Sequence, residues 1–431
     1  MIPALRRQFN QSFTAEAYAA LKRRLEAKTG TAIGFRVAET PVFVEEGFLT
    51  LLADKGAELT RALLADKGYL AAARRAIPAG YVVAGETPHP HFMTADFALV
   101  REPSGELAPR LVELQAFPSV FGFQAVFAAA YREAFGLSHE LGFLLSGLDE
   151  AGYWELLRRT IAGRHDPENV ALTEVDPQHQ KTLPDFRVMA QKLGIAVVDI
   201  AQVKPVGNRL HYRDASGRLV PIHRIYNRAI ADELIARQIS LPFDLTHPWE
   251  VEWAGHPNWY FLISKFSVPY LAGTAAGRGV VPPAVFLGDF LAGPGRERLA
   301  AAGVDLPETS GSETIYRQLL LKPLFSFAGK GIVFEPSQAE LEAIPAEERE
   351  GYLLQQRMQF VSTVETPRGL TQAEFRILYV WPDGGALTPA ITLVRLGRGR
   401  MMGVDHNRDL EWVGASAALF DPRTDLNRAR G

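Results

Sequence analysis

Residues 96–119 read DFALVREPSGELAPRLVELQAFPS. Two apolar runs, 96–100 and 110–114, flank a stretch with the Pro, Ser and Gly of a turn, which predicts a β-hairpin. Glu113 alternates with Gln115, so both side chains leave one face of the second strand, and Asp96 stands on the neighbouring strand. Three oxygen donors on adjacent strands suit Mg²⁺, a hard cation that keeps waters for phosphate oxygens. The plainer reading makes each a surface polar residue. Leu111, Val112 and Leu114 weigh against it, because a carboxylate among apolar neighbours needs a partner.

Outward from the hairpin, residues 14–77 read mostly as helices. Tyr18, Leu21 and Leu25 fall on a helical repeat, and residues 51–75 are rich in Ala, Leu and Lys. Residues 121–135 predict a helix with Phe123, Val126, Phe127 and Tyr131 on one face. Residues 169–173, a helical stretch 182–193 stopped by Gly194, and residues 196–200 make a strand–helix–strand pattern, hence a βαβ unit with parallel strands. A hairpin turning at Gly217 leads to a strand at 222–226. From Pro257, helices mix with strands at 314–321, 331–335, 352–356, 373–380 and 390–395, and the charged run 347–350 reads as a solvated helix end. The predicted division is 1–90, 91–165, 166–256, 257–420 and a tail, 421–431.

Composition narrows the function. The 431 residues are 47% hydrophobic and 22% charged, which fits a globular protein of two or three domains. A net charge of −3 argues against a general nucleic-acid surface. No apolar run reaches the ~18–20 residues of a membrane helix, and the opening MIPALRRQFNQSF lacks the apolar core of a secretory signal. There are no cysteines, so disulfides, thiolate metal sites and cysteine nucleophiles are excluded. A cytoplasmic protein is the expectation.

Other stretches carry chemistry-bearing types. An apolar run delivers Lys322 into a segment containing Ser326, Gly329, Lys330 and Gly331; glycines let backbone N–H groups approach a polyphosphate and lysines supply countercharge, although a solvated turn has the same composition. Ser264-Lys265 ends an apolar stretch, either as a snorkelling side chain or a buried phosphate contact. Residues 352–357 close a strand with Gln355, Gln356 and Arg357, as a hinge beside a nucleobase or an edge strand. Arg376, beside Glu374, and Arg395 suit bidentate oxyanion binding or charged edge strands, and Arg228 suits a carboxylate or a structural salt bridge. His89, His91, Asp405 and His406 are metal-ligand types, but solvated loop histidines are the better account. No G-x-S-x-G elbow points to Ser/His/Asp catalysis.

In this order the stretches resemble the circularly permuted ATP-grasp enzymes, specifically the synthetase domain of the glutathionylspermidine synthase family. The resemblance spans roughly residues 90–415. It rests on Asp96-Phe97, Gly105, Glu113 and Gln115, then Phe117-Pro118-Ser119; on Pro257-Asn258-Trp259 with Ser264-Lys265; on Lys322-Pro323-Leu324 with Gly329 and Gly331; on Leu354-Gln355-Gln356; and on Arg395. It implies an α/β (α+β) ATP-grasp fold, with residues 91–165 carrying the metal-site hairpin, residues 166–256 a pre-ATP-grasp-like domain, and residues 257–420 the nucleotide-binding subdomains, behind a helical region 1–90. It implies ATP and Mg²⁺ as cofactors, with Asp96, Glu113 and Gln115 on the metal. Lys265, Lys322, Gln355 and Gln356 would contact nucleotide, and residues 326–331 would close over the triphosphate.

The implied reaction activates a small-molecule carboxylate as an acyl phosphate that an amine attacks, with Arg395 and Arg228 as candidate catalytic arginines. Two departures stand out: Thr94 replaces the family's arginine and Gln115 its asparagine. The accompanying cysteine amidase half cannot exist here. The expected function is therefore an ATP-dependent carboxylate–amine ligase. A non-catalytic ATP-binding protein of the same fold and an ATP-grasp kinase are the alternatives.

Overall fold

The computed structural model describes residues 1–308, 311–325, 331–399, 402 and 409–422. In chain order the strands are β1 (Val42–Val44), β2 (Phe92–Arg101), β3 (Leu107–Gln115), β4 (Val170–Glu174), β5 (Ala196–Asp199), β6 (Lys204–Val206), β7 (Arg209–Arg213), β8 (Leu219–Pro221), β9 (Arg224–Asn227), β10 (Glu252–Ala254), β11 (Ala284–Phe286), β12 (Leu319–Pro323), β13 (Val333–Phe334), β14 (Tyr352–Gln356), β15 (Ser362–Thr366), β16 (Gly369–Val380), β17 (Thr388–Gly397) and β18 (Gly414–Phe420). The largest sheet runs β1-β18-β17-β16-β2-β3, with β15 also on β16. Its pairs are antiparallel except β1 with β18. A parallel sheet β10-β9-β4-β5, an antiparallel sheet β11-β14-β12-β13 and the small meander β6-β7-β8 complete the set. The result is a mixed α+β molecule.

Side chains alternate across the large sheet, and its two faces differ in chemistry. Phe375, Ile377 and Tyr379 share one buried cluster with Ala95, Phe97 and the residues Leu49, Leu52 and Ala53 of the helix Glu46–Ala65. Each such large side chain contributes ~1.5–3 kcal/mol by leaving water. On β16, Glu374 and Arg376 therefore point the opposite way. There the helix Phe121–Ala134 covers part of the sheet, where Phe121, Phe123 and Phe127 join Phe92, Leu378 and Val380.

The hairpin forms as its sequence predicts, with Gly105 at φ 89° in the turn. A bulge breaks the register: Asp96 faces Glu113, while Phe97 faces Leu111, leaving Val112 as the extra residue. The βαβ unit is present, with Gly194 in the left-handed region ending the helix Leu183–Leu193.

Three local expectations change. The stretch read as helical also carries β1, an all-apolar Val-Phe-Val run buried beside β18. Residues 314–318 lie before β12, and only Ile315 makes an isolated bridge, to Ser337. Glu374, Arg376 and Arg395 lie on interior strands, so the charged-edge reading fails; β16 lies between β17 and β2.

Candidate functional site

The charged face of the large sheet forms the floor of a cavity of about 810 Å³. Glu113 and Gln115 reach it from β3, Arg376 from β16 and Arg395 from β17. Lys265 arrives from the turn after the helix Asn258–Leu262, and Lys322 from β12. At the other end stands Arg228, just past β9.

Asp96 lies under this floor, 1% exposed. Its Oδ1 and Oδ2 accept hydrogen bonds from Nε and Nη2 of Arg376, both at 2.6 Å, and Oδ2 also accepts from Arg395. Arg395 pairs with Glu374 as well. Burial pushes the Glu374 carboxyl up, against the pull of Arg395. Arg376 stays firmly protonated: burial alone would lower its pKa, and the charge and hydrogen bonds of Asp96, helped by Glu113 and Glu374, more than reverse that.

The lysines are buried, which removes the snorkelling reading of Lys265. It sits 3.8 Å from Glu113. Lys322 donates to Gln355 Oε1 at 2.5 Å, and burial pushes its ammonium down to about 8. Gln355 Nε2 has no partner among the described residues. Gln356 is half-buried, with its backbone N–H on Pro283. Gly331 adopts φ 78°, and a Cβ there would come within 3.1 Å of Pro323. Ser326, Gly329 and Lys330 fall outside the described residues.

Arg228 is 2% exposed and is held in place. Its guanidinium lies 5.3 and 5.1 Å from the ring centres of Phe117 and Phe186, donates to the Pro118 carbonyl and sits 3.4 Å from Asp185. Asp185 also accepts the Phe123 N–H at the start of the helix Phe121–Ala134. Ahead of that helix Val120 takes φ 57°, an uncommon conformation for a β-branched residue, in the loop that lines the cavity. Glu174, at the end of β4, lines the same end; burial pushes its carboxyl up to about 8.

The oxygen donors can be tested against Mg²⁺. Glu113 and Gln115 face the cavity with a carboxylate and an amide oxygen, which fits an ion held by one or two protein oxygens plus phosphate and water. Asp96 differs, since both of its oxygens already accept from guanidinium groups. Among the described residues no group of three or more His, Asp or Glu side chains is arranged to hold a metal. His91 is fully buried and hydrogen-bonds Asp383 at 2.7 Å, and His89 stacks on Trp381 at 4.1 Å; His91 is thus not the solvated loop residue expected. Asp405 and His406 fall outside the described residues. Sequence reading left Glu174 and Asp185 unassigned; an acidic residue ending an apolar strand was the available signal for Glu174.

No family model matches the sequence, and no curated protein matches it. Among solved structures, a glutathione synthetase-like effector from Globodera pallida, in its apo form, matches with a TM-score of 0.55 over 94% of this chain and 96% of that one, at 11% identity. Among the described residues no helix is long and apolar enough to cross a membrane. The α+β fold of this chain is similar to that of a glutathione synthetase-like protein.

Proposed function

We propose that the protein is an ATP- and Mg²⁺-dependent carboxylate–amine ligase with a circularly permuted ATP-grasp arrangement like that of the glutathionylspermidine synthase synthetase domain. One observation carries the reading: a single cavity gathers two buried lysines, two arginines and two oxygen donors from β3, β12, β16, β17 and the turn at Lys265. A substrate carboxylate oxygen attacks the terminal phosphorus of ATP and ADP leaves. An amine then attacks the acyl carbon, phosphate leaves and the amine gives up a proton.

Lys265 and Lys322 neutralise phosphate charge, and Gln355 orients Lys322. Arg228 and Arg395 hold carboxylate and phosphate oxygens. Glu113 and Gln115 would hold Mg²⁺, which when bound supplies charge neutralisation between phosphates. The partners are small-molecule carboxylates and amines.

The test mixes the protein with ATP, Mg²⁺ and pooled carboxylates and amines and follows ADP and phosphate release, with products read by mass spectrometry. Glu113→Ala should abolish turnover. A second reading, nucleotide binding without turnover, is favoured by the guanidinium groups that occupy Asp96 and by Thr94, whose buried hydroxyl has no partner among the described residues. ATP binding with no ADP release across the pools would select it. A phosphorylated product in place of an amide would select a kinase.

A further inference from the structure

We propose that Arg376 is an oxyanion-binding residue of the cavity, with Nε and Nη2 fixed by Asp96 and the remaining amino group, Nη1, presented to a phosphate or carboxylate oxygen of the ligand. The inference rests on the cavity being the ligand site, and it adds a residue to that site. Arg376 sits on the interior strand β16, with its side chain 12% exposed at the cavity wall. Two parallel hydrogen bonds of 2.6 Å to one carboxylate fix the guanidinium plane. Nη1 lies outside the pair of hydrogen bonds to Asp96.

A guanidinium needed only to neutralise Asp96 would be redundant, because Arg395 already donates to the same carboxylate. The surroundings favour an anion. Arg376, Arg395, Lys265 and Lys322 face Asp96, Glu113 and Glu374, so four cationic side chains meet three carboxyl groups. The burial of Glu374 works against its negative charge and widens that imbalance. An arginine clamped on its Nε/Nη2 edge at a cavity wall is oriented before the ligand arrives, so little side-chain freedom is lost on binding.

The experiment measures dissociation constants by calorimetry for inorganic tripolyphosphate, ATP and glutarate with the whole chain, for wild type, Arg376→Gln, Arg376→Lys and Asp96→Asn. Thermal midpoints are recorded separately. Arg376→Gln should weaken at least one of these ligands by about tenfold to a hundredfold, the effect of one lost charge-assisted hydrogen bond. Arg376→Lys keeps a charge opposite Asp96, and so folds if the glutamine variant does not; it should still lose at least about fivefold, because an ammonium cannot span Asp96 and the ligand together. Asp96→Asn should weaken the same ligand by less.

A loss confined to ATP and tripolyphosphate assigns a phosphate; one confined to glutarate assigns the acceptor carboxylate. Affinities within twofold of wild type in Arg376→Lys, alongside a lowered midpoint, would make the residue purely structural and overturn the proposal. A wild type that binds tripolyphosphate but not ATP defeats the ligase reading and leaves the arginine test intact. A wild type that binds none of the three overturns both.

Discussion

Lys322 shows how one residue reports on the site. Its ammonium is buried, and its pKa falls from the usual 10.5 to about 8. Between those values the unfolded chain holds more protons than the folded one, so stability without ligand should rise with pH across that window. A bound polyanion reverses the desolvation cost and draws the proton back. Tripolyphosphate binding should therefore take up protons near pH 8.5 but not near pH 6.5, and its affinity should fall as pH rises through 8; calorimetry in buffers of different ionisation enthalpy checks both. Lys322→Met should remove the uptake, weaken tripolyphosphate at least tenfold and stabilise the unliganded fold by ~1 kcal/mol, since Gln355 loses a partner but a buried charge disappears. Wild-type binding with no proton uptake at pH 8.5 would sink the argument. Glu174 works with the opposite sign. Its carboxyl rises to about 8 from 4.5, so the folded state keeps a proton that the unfolded chain has lost. Stability should fall as pH rises from 4.5 through 8, and urea titrations at pH 5 and pH 8 should show that slope flattened in Glu174→Gln.

Among the elements, the helix Glu46–Ala65 closes the apolar face of the sheet, and Gly56 sets how near it lies. A Cβ there would fall 2.2 Å from the Tyr379 hydroxyl and 2.8 Å from the Ala95 Cβ. Helix propensity favours alanine over glycine by ~1 kcal/mol. The clash should win, because Tyr379 is fully buried and its hydroxyl is tied to the Ala53 carbonyl at 2.8 Å. Gly56→Ala should lower stability by ~1–3 kcal/mol in chemical denaturation; a stabilised variant would mean that the helix slides freely on the sheet. What the sequence made legible follows the range of each interaction. The hairpin β2–β3 and the helix of the βαβ unit are local patterns of turn residues and period, and both read correctly. The strand β1 was hidden, because three apolar residues between helices acquire a ladder only through β18, hundreds of residues later. The pairing of Asp96 with Arg376 spans 280 residues, so no spacing rule could reveal that the metal-type carboxylate is clasped by an arginine from an interior strand. Lys265 and Lys322 were legible because a lysine ending an apolar run is unusual wherever it folds; that they share one cavity followed from the family resemblance and from no spacing rule.

Over the whole molecule, a second arginine tests whether function and framework separate. Arg224 is buried on β9 and donates to Glu252 at 2.6 Å on β10, to Asp383 at 2.8 Å in the turn between β16 and β17, and to the Thr160 carbonyl at 3.1 Å in the helix Glu150–Ile161. One guanidinium thus joins the parallel sheet, a helix and the far end of the large sheet. His91 adds to the junction through Asp383, whose carboxyl it and Arg224 hold well below the usual range, His91 most strongly. Arg224 does not line the cavity, whereas Arg376 does. Arg224→Met removes hydrogen bonds to two carboxylates that are 41% and 56% exposed, and water can replace those; the buried Thr160 carbonyl loses its donor outright. The expected cost is ~2 kcal/mol of stability, seen as a thermal midpoint lower by a few degrees. Tripolyphosphate affinity of the folded protein should stay within twofold of wild type, the reverse of the pattern expected at Arg376. If Arg224→Met weakened the ligand tenfold while leaving the midpoint unmoved, the junction would belong to the site, and the division between the arginine that frames the cavity and the arginine that faces its ligand would fail.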